Sequence, residues 1–221
     1  MAKRKKVTKV DVLTSGTAQL KVPPADIATL RLTVEGISPL VCNRFAEKAR
    51  QELHDRHAAG DQRKSKKERE PKDFNAAYEA AMHRSTDGWL GLPCSAFMSA
   101  MVSACRATGV VMTRAKIAMW IDADGYSDDG YALTKITKGK PRYDERYVRN
   151  QTGVVDLRAR PMWDPGWQAV VTISFDRGMI SPESIANLLS RAGRQVGIQE
   201  GRPDSKKSVG MGWGLFKIVN T

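Results

Sequence analysis

With 221 residues, 24.4 kDa and 41% hydrophobic residues, the chain is long enough for one or two domains and too apolar to be disordered throughout. No window approaches the roughly 18 consecutive apolar residues of a membrane span, and no apolar stretch follows the basic N-terminus, so a transmembrane protein and a secretory signal are excluded. The net charge of +12 is clustered in residues 1–10, 61–73, 135–160 and 191–207, which favours a polyanionic partner and above all nucleic acid.

The chain opens with a basic arm and a strand. Residues 1–26 combine basic residues with a Val-Pro-Pro-Ala stretch and lack periodicity, which is typical of a poorly ordered arm. Residues 28–35 alternate leucine and valine with polar residues, which predicts a half-buried strand. Helices are predicted over 43–57 and 71–84, and the charged run between them, over 60–71, is interpreted as a solvated insertion.

The second half of the chain carries stronger periodicity. In chain order the predictions are an extended piece over 89–92, a helix over 95–108, a β-like segment over 112–122, a strand over 131–138, an arginine-rich hairpin over 148–160, a strand over 167–175, a helix over 181–194 and a strand over 213–219. Ser181 is the expected N-cap of the last helix, with Pro182 at its first position. The final strand is expected to be buried on both faces or paired centrally.

Without its insertions, this order reads βαββαβ, a ferredoxin-like plan of the α+β class that RNA-recognition modules share. The insertions comprise about 43–92, mostly helical, and about 123–165, which includes the arginine-rich hairpin. We therefore predict an N-terminal arm over 1–26 and a single domain over 27–221.

A glycine-rich segment joins the last helix to the last strand. Glycines let the backbone approach a ligand, and successive exposed N–H groups form a nest for anions. A loop with a glycine-bulged strand entry is the alternative, and no Walker motif is present. The candidate phosphate-binding residues are Gly197, Gly201, Arg202, Lys206, Lys207, Gly210 and Gly212.

Three segments resemble the CRISPR-associated RAMP superfamily, in particular its effector-complex backbone subunits. They are Val34–Leu40, similar to the family's first strand and turn, Gly91–Phe97, similar to its helix entry, and Gly197–Gly214, similar to its closing glycine motif. The resemblance implies subunits that stack into a helical filament along a single-stranded guide RNA, with residues 142–160 as a thumb between bases. The arm and the 61–73 insertion match nothing in that family, so a phage-encoded relative is an alternative.

The predicted hairpin region supplies further candidate contacts with nucleic acid. Arginine forks bind phosphates in a bidentate manner, and tyrosines stack on bases. The candidate residues are Arg142, Arg146, Arg149, Arg158 and Arg160, with Tyr143 and Tyr147 beside them and Asn43 and Arg44 after the first strand. A solvated hairpin with core-packed tyrosines is the alternative. Glutamates in place of Arg158 and Arg160 are expected to weaken binding while leaving the monomer folded.

No metal, cofactor or catalytic set is predicted. The histidines, at positions 54, 57 and 83, do not follow a zincin pattern, and the aspartates of 122–129 do not have the spacing of a calcium loop. Cys42, Cys94 and Cys105 are odd in number and far apart, which fits a reducing cytoplasm. Among the tryptophans, only Trp163 is expected to be exposed enough for binding.

Three functions remain open at this stage. The first is a non-enzymatic subunit that binds single-stranded nucleic acid and copies of itself, with RNA favoured over DNA and other effector subunits as further partners. The second is a phage single-strand DNA-binding or annealing protein. The third is a RAMP-type endoribonuclease, for which Asp144 is the candidate in a metal-assisted cut. Backbone contacts carry little identity information, so the sequence does not separate RNA from DNA.

Overall fold

The computed structural model of the chain describes residues 22–44, 72–149, 155–205 and 210–219. In these ranges the helices are α1 (Phe74–Ala80), α2 (Cys94–Ala104), α3 (Met112–Ala118) and α4 (Pro182–Arg191). The strands are β1 (Ile27–Gly36), β2 (Leu40–Val41), β3 (His83–Arg84), β4 (Leu90–Pro93), β5 (Met119–Ile121), β6 (Gly125–Tyr126), β7 (Ala132–Lys138), β8 (Arg142–Arg149), β9 (Val155–Trp163), β10 (Gln168–Asp176) and β11 (Phe216–Val219). A 3₁₀ turn over Cys105–Ala107 extends α2, and a π-helical turn over Ala192–Val196 extends α4.

The main sheet is antiparallel and has β10 near its middle. Its order is β11-β1-β10-β7-β4-β3, with β5 also paired to β10 and β6 paired to β7. One edge of β10 pairs along its whole length with β1, whereas β5 and β7 share the other edge. The predicted alternation holds along β10, because Ala169, Val171, Ile173 and Phe175 are all buried. The chain is thus a mixed α+β protein whose sheets are mostly antiparallel, which confirms the predicted class.

Helices α2 and α4 pack against each other and share one hydrophobic core with the sheet. Phe97 of α2 lies edge-on to Phe216 of β11, with ring centroids 5.8 Å apart. The start of α4 agrees with its sequence signal, because the Ser181 hydroxyl accepts a hydrogen bond from the Ser184 N–H at 3.2 Å and Pro182 follows. Local capping and an apolar helix face were sufficient to predict this element.

A second sheet, of order β2-β9-β8, contains the predicted hairpin. Strands β8 and β9 pair antiparallel from Arg142 opposite Met162 to Arg149 opposite Val155, which confirms the predicted strand pair. Its connection over 150–154 lies outside the described residues. Strand β2 pairs with the other edge of β9, so the hairpin is joined to the segment that directly follows β1.

Two strand predictions were wrong in extent. The segment predicted as β-like over 112–122 is the helix α3 for most of its length, and only β5 is extended. In the first turn of α3, the Ala115 N–H donates a hydrogen bond of 3.0 Å to the Val111 carbonyl. The strand predicted over 213–219 is limited to β11, because Gly214 has a φ of +69° and interrupts the extended chain. In the described sheet β11 pairs only with β1, so it is not a central strand.

Several predictions lie outside the described residues. They concern most of the 1–26 arm, most of the helix over 43–57 with its two histidines, the charged run over 60–71, and the lysines at 206 and 207. Among the helices that the structure does describe, none combines the length and the apolarity that crossing a membrane requires.

Candidate nucleic-acid interface

The hairpin presents four of its five arginines on one face. In an antiparallel pair, directly opposed residues point to the same side of the sheet. Arg146 is opposite Arg158, and Asp144 is opposite Arg160, so these four side chains share a face with Arg142. From the sequence, only Arg158 and Arg160 were predicted to share a face. Which residues of β8 face the same side depends on the pairing register of β8 and β9, and the sequence did not reveal that register.

Arg160 is buried and ion-paired, contrary to its predicted role. Its side chain is 2% exposed, and Nη1 donates to Glu200 Oε1 at 2.6 Å while Nη2 lies 3.7 Å from Asp144 Oδ2. Glu200 belongs to the glycine-rich segment, and its N–H donates to the Val41 carbonyl at 3.1 Å. Arg160 therefore links the hairpin to that segment, and its buried guanidinium is not accessible to a phosphate in solvent.

Three other arginines of this face reach solvent but also have carboxylate partners. Arg142 Nε lies 2.9 Å from Asp164 Oδ1, and Arg146 Nε lies 2.8 Å from Asp144 Oδ1. Arg158 Nε lies 3.3 Å from Asp156 Oδ2. These guanidiniums are between a third and a half exposed, so water screens the pairs and weakens them. Only the backbone of Arg149 is described, at the end of β8.

Trp213 lies at the junction of the hairpin and the glycine-rich segment. The guanidinium carbons of Arg146 and Arg160 lie 5.1 and 5.8 Å from the centroid of its ring. Such cation–π contacts orient the two side chains and add to the ion pairs. Sequence reasoning did not assign Glu200 or Trp213 to the site. The one local signal was a carboxylate and an indole placed between glycines.

At several glycines of this segment a side chain would collide with neighbouring backbone, so these glycines are needed for close packing. A Cβ on Gly214 would lie 1.9 Å from the Ile198 carbonyl oxygen, and a Cβ on Gly210 would lie 2.1 Å from that of Arg202. The Ile198 N–H donates to the Gly214 carbonyl and the Gly214 N–H to that of Pro39, at 3.0 and 2.7 Å. The Gly214 N–H is thus used within the protein, and so is that of Gly197, which donates to the Ala192 carbonyl at 2.8 Å, so the predicted nest is wrong at Gly197.

The other glycines that were predicted to bind phosphate have a positive φ, and some of them are also tightly packed. Gly197 and Gly201 have φ values of +73°, and a Cβ on Gly201 would lie 2.5 Å from the ring of Trp213. Gly212 has a φ of +72° with open space around it. Gln199, between the first two glycines, is the non-glycine residue with positive φ in the described part of the chain. Non-glycine residues rarely adopt this conformation, so the loop geometry there is imposed by its surroundings.

A groove of about 980 Å³ separates this segment from α2. On the helix side, Ser95, Ser99 and Ser103 are spaced by four residues and line the groove together. On the other side the lining includes the predicted residues Asn43, Gly197 and Arg202. The serine row was missed in the sequence, although its spacing within the predicted helix was a usable signal.

An ion pair lies in the lining of the groove. Arg106 Nη2 lies 2.5 Å from Asp204 Oδ1, and the Ser103 hydroxyl donates to the other oxygen of the same carboxylate. The hydrogen bond from Ser103, assisted by Arg106, lowers the pKa of Asp204 from its usual value. Arg44, predicted to contact the same backbone as Asn43, instead pairs with Asp129 and does not line the groove.

The opposite face of the hairpin carries two tyrosines. Tyr147 is 78% exposed, and the Tyr143 ring packs against that of Tyr78, tilted by 45°, with ring centroids 5.5 Å apart. The hydrogen bond that the Tyr143 hydroxyl donates to Glu145 raises the pKa of that tyrosine to about 12. Trp163, predicted to be exposed, is instead buried between β2 and the main core, and its indole is 1% exposed.

The acidic side chains that the sequence singled out have partners within the protein. Asp144, the nuclease candidate, is 5% exposed and lies between Arg146 and Arg160. In the acidic turn, Asp122 accepts a hydrogen bond from the Ser174 hydroxyl at 2.6 Å. Within the described ranges no three histidine, cysteine or carboxylate side chains are grouped so as to hold a metal ion.

The described residues carry little of the chain's positive charge. They include 20 of its 36 lysines and arginines and 17 of its 24 aspartates and glutamates, a net of +3. Most of the excess therefore belongs to residues 1–21, 45–71 and 206–209. No protein-family model matches the chain, and a search of curated proteins gives no match.

Proposed function

We propose that this protein is a single-stranded nucleic-acid-binding subunit that assembles head to tail along the strand, with RNA favoured over DNA. One observation carries the proposal: the groove beside α2 and the arginine face of the hairpin meet at Glu200, which lines the groove and pairs with Arg160 of the hairpin. A strand in the groove would continue over Arg158 and Arg146 without leaving the surface of one subunit.

The order of the strands supports a ferredoxin-like core. Strands β1 and β10 are neighbours, β11 lies beside β1, and β5 lies beside β10. Helix α2 lies between β1 and β5 in the chain, and α4 lies between β10 and β11. A βαββαβ unit places its strands in this order in one antiparallel sheet. The resemblance to RAMP backbone subunits, which coat a guide RNA, extends the proposal to that class.

The exposed hairpin arginines suit phosphate contacts despite their present partners. Surface ion pairs are worth about 0–1 kcal/mol each, so a phosphate displaces Asp156 or Asp164 at small cost. The arginine fork then binds two phosphate oxygens, and the released counterions add to the affinity. On the other face, Tyr147 is free to stack on a base that passes the hairpin, as a thumb would require.

A matched pair of double variants tests the proposal. Arg142→Gln with Arg158→Gln removes two exposed, ion-paired arginines from the hairpin face. Arg84→Gln with Arg177→Gln removes two exposed, ion-paired arginines elsewhere and changes the net charge equally. Affinity is measured by fluorescence anisotropy with labelled single-stranded RNA and with DNA of the same sequence.

We expect the hairpin variant to lose about tenfold or more in affinity and to show a shallower salt dependence, because fewer phosphates are neutralised. The control variant should bind like the original protein. Equal affinities for the two variants, or binding that does not change with salt, would contradict the proposal. Tighter binding of DNA would favour the phage single-strand DNA-binding protein, and cleavage of the RNA would favour the endoribonuclease.

A further inference from the structure

A polar cleft of about 720 Å³ lies on the outer side of α4 and of the π-helical turn that follows it. Its polar lining comes mainly from Ser184, Asn187, Ser190, Arg191, Arg194 and Gln195. No carboxylate lines it, whereas the groove beside α2 contains Glu200 and Asp204. The two depressions share no lining residue, so the cleft is separate from the candidate interface.

The fold explains why these side chains point outward together. Ser184, Asn187 and Arg191 lie at positions i, i+3 and i+7, one stripe of α4, while Ile185 and Leu189 face the core.

The π-helical turn continues this arrangement. Its residues Ala192, Gly193 and Val196 are buried, and Arg194 and Gln195 are exposed. Gly193 is pressed against β11, because a Cβ there would lie 2.3 Å from the Phe216 carbonyl oxygen. Gly193 therefore has to face β11, and this places Arg194 on the solvent side of the turn.

Neither arginine of the cleft has an acidic partner in the described part of the chain. No ion pair or hydrogen bond of the Arg191 or Arg194 side chain is found there, in contrast to the paired arginines of the hairpin. A cation in the last turn of a helix is favoured by the helix dipole, which accounts for Arg191. The helix dipole does not account for Arg194, which lies beyond the α-helix. It also does not account for the amide and hydroxyl groups around the two arginines.

We infer that this cleft binds a phosphate group, supplied by a nucleic-acid strand or by a free nucleotide. Two guanidinium forks match the oxygens of a phosphate, and the Asn187 and Gln195 amides add neutral donors. No carboxylate lines the cleft in the described part of the chain, so a bound phosphate meets no acidic side chain among the lining residues. This inference does not rest on the proposed function, since a free nucleotide would bind here without any strand.

The test compares two double variants of the full chain. Arg191→Gln with Arg194→Gln removes the cleft arginines. Arg31→Gln with Arg114→Gln removes two exposed arginines that do not line the cleft and is the charge-matched control. Calorimetric titration with pyrophosphate, with ADP and with a single-stranded RNA oligonucleotide is carried out at low salt, after circular dichroism has shown both variants to be folded.

We expect the cleft variant to lose about tenfold or more in affinity for pyrophosphate while the control keeps it. An equal loss for the oligonucleotide assigns the phosphate to a strand, and a loss confined to pyrophosphate and ADP assigns it to a free nucleotide. If the cleft variant and the control bind all three probes alike, or if pyrophosphate does not bind the original protein, the inference is overturned. If the hairpin variant loses oligonucleotide binding while the cleft variant binds all three probes like its control, the proposed function stands and this inference fails.

Discussion

The buried arginine of the hairpin gives the sharpest prediction. Arg160→Glu would place a third carboxylate beside Asp144 and Glu200, where the structure has a cation that both contact. Arg158→Glu is the matched control, since that side chain is 33% exposed and lies two residues away on the same face. The sequence alone predicted that both glutamates leave the monomer folded, and for Arg160 the structure argues against this.

The magnitude follows from burial. Removing one partner of a buried ion pair costs about 3–5 kcal/mol of the free energy of unfolding, because an uncompensated charge remains inside. For a chain of this size about 1 kcal/mol shifts the unfolding midpoint by about 2–4 °C, so Arg160→Glu should lower it by roughly 6–20 °C. The exposed Arg158 should contribute less than about 1 kcal/mol.

Thermal and urea unfolding followed by circular dichroism measure both variants. A second variant, Arg160→Met with Glu200→Gln, removes the cation together with the nearer of its two carboxylate partners and should recover part of the lost stability, because Asp144 keeps its pair with Arg146. Unfolding midpoints for Arg160→Glu and Arg158→Glu that agree within error would refute the buried network that joins the hairpin to the glycine-rich segment.

Three further outcomes are expected. Gly214→Ala should destabilise the protein by several times the about 1–2 kcal/mol expected for Gly88→Ala, because both glycines have positive φ but only Gly214 has backbone in the space of a Cβ; equal unfolding midpoints would contradict this. Burial lowers the pKa of His83 to about 4, so the unfolded chain binds the proton more tightly and stability falls as the pH drops below about 6.5. The loss should be about 2 kcal/mol between pH 7 and pH 5 and absent in His83→Phe, as urea midpoints at the two pH values would show. Burial raises the pKa of Cys42 to about 12, so iodoacetamide should modify this thiol only after unfolding, and labelling of the native protein in mass spectra would count against it.

Local signals were enough for much of the fold. The alternation along β10 and the Ser181-Pro182 start of α4 each depend on residues within one element, and both were predicted. The helix α3 was missed although its buried residues, Ala115 and Ala118, are three positions apart and Ile117 is exposed. Its helical state depends on the neighbours that cover its alanine face, which a local pattern does not show.

The candidate site depended on long-range pairing, and there the sequence was less informative. It identified the arginines and the glycines separately but not which of them meet. Whether Arg160 is a ligand or an internal anchor depends on Glu200, which lies 40 residues further along the chain. Trp163 was expected at the surface because of its turn-like neighbours, and its burial follows from the pairing of β2 with β9.

Assembly along a strand is the central claim, and sedimentation velocity tests it most directly. The full chain is mixed with single-stranded RNAs of increasing length at a fixed ratio of protein to nucleotide. A head-to-tail contact does not close on itself, so the number of chains per complex should rise in proportion to the length of the RNA. A complex that stays a monomer or a closed dimer on every RNA, whatever its length, would contradict the account.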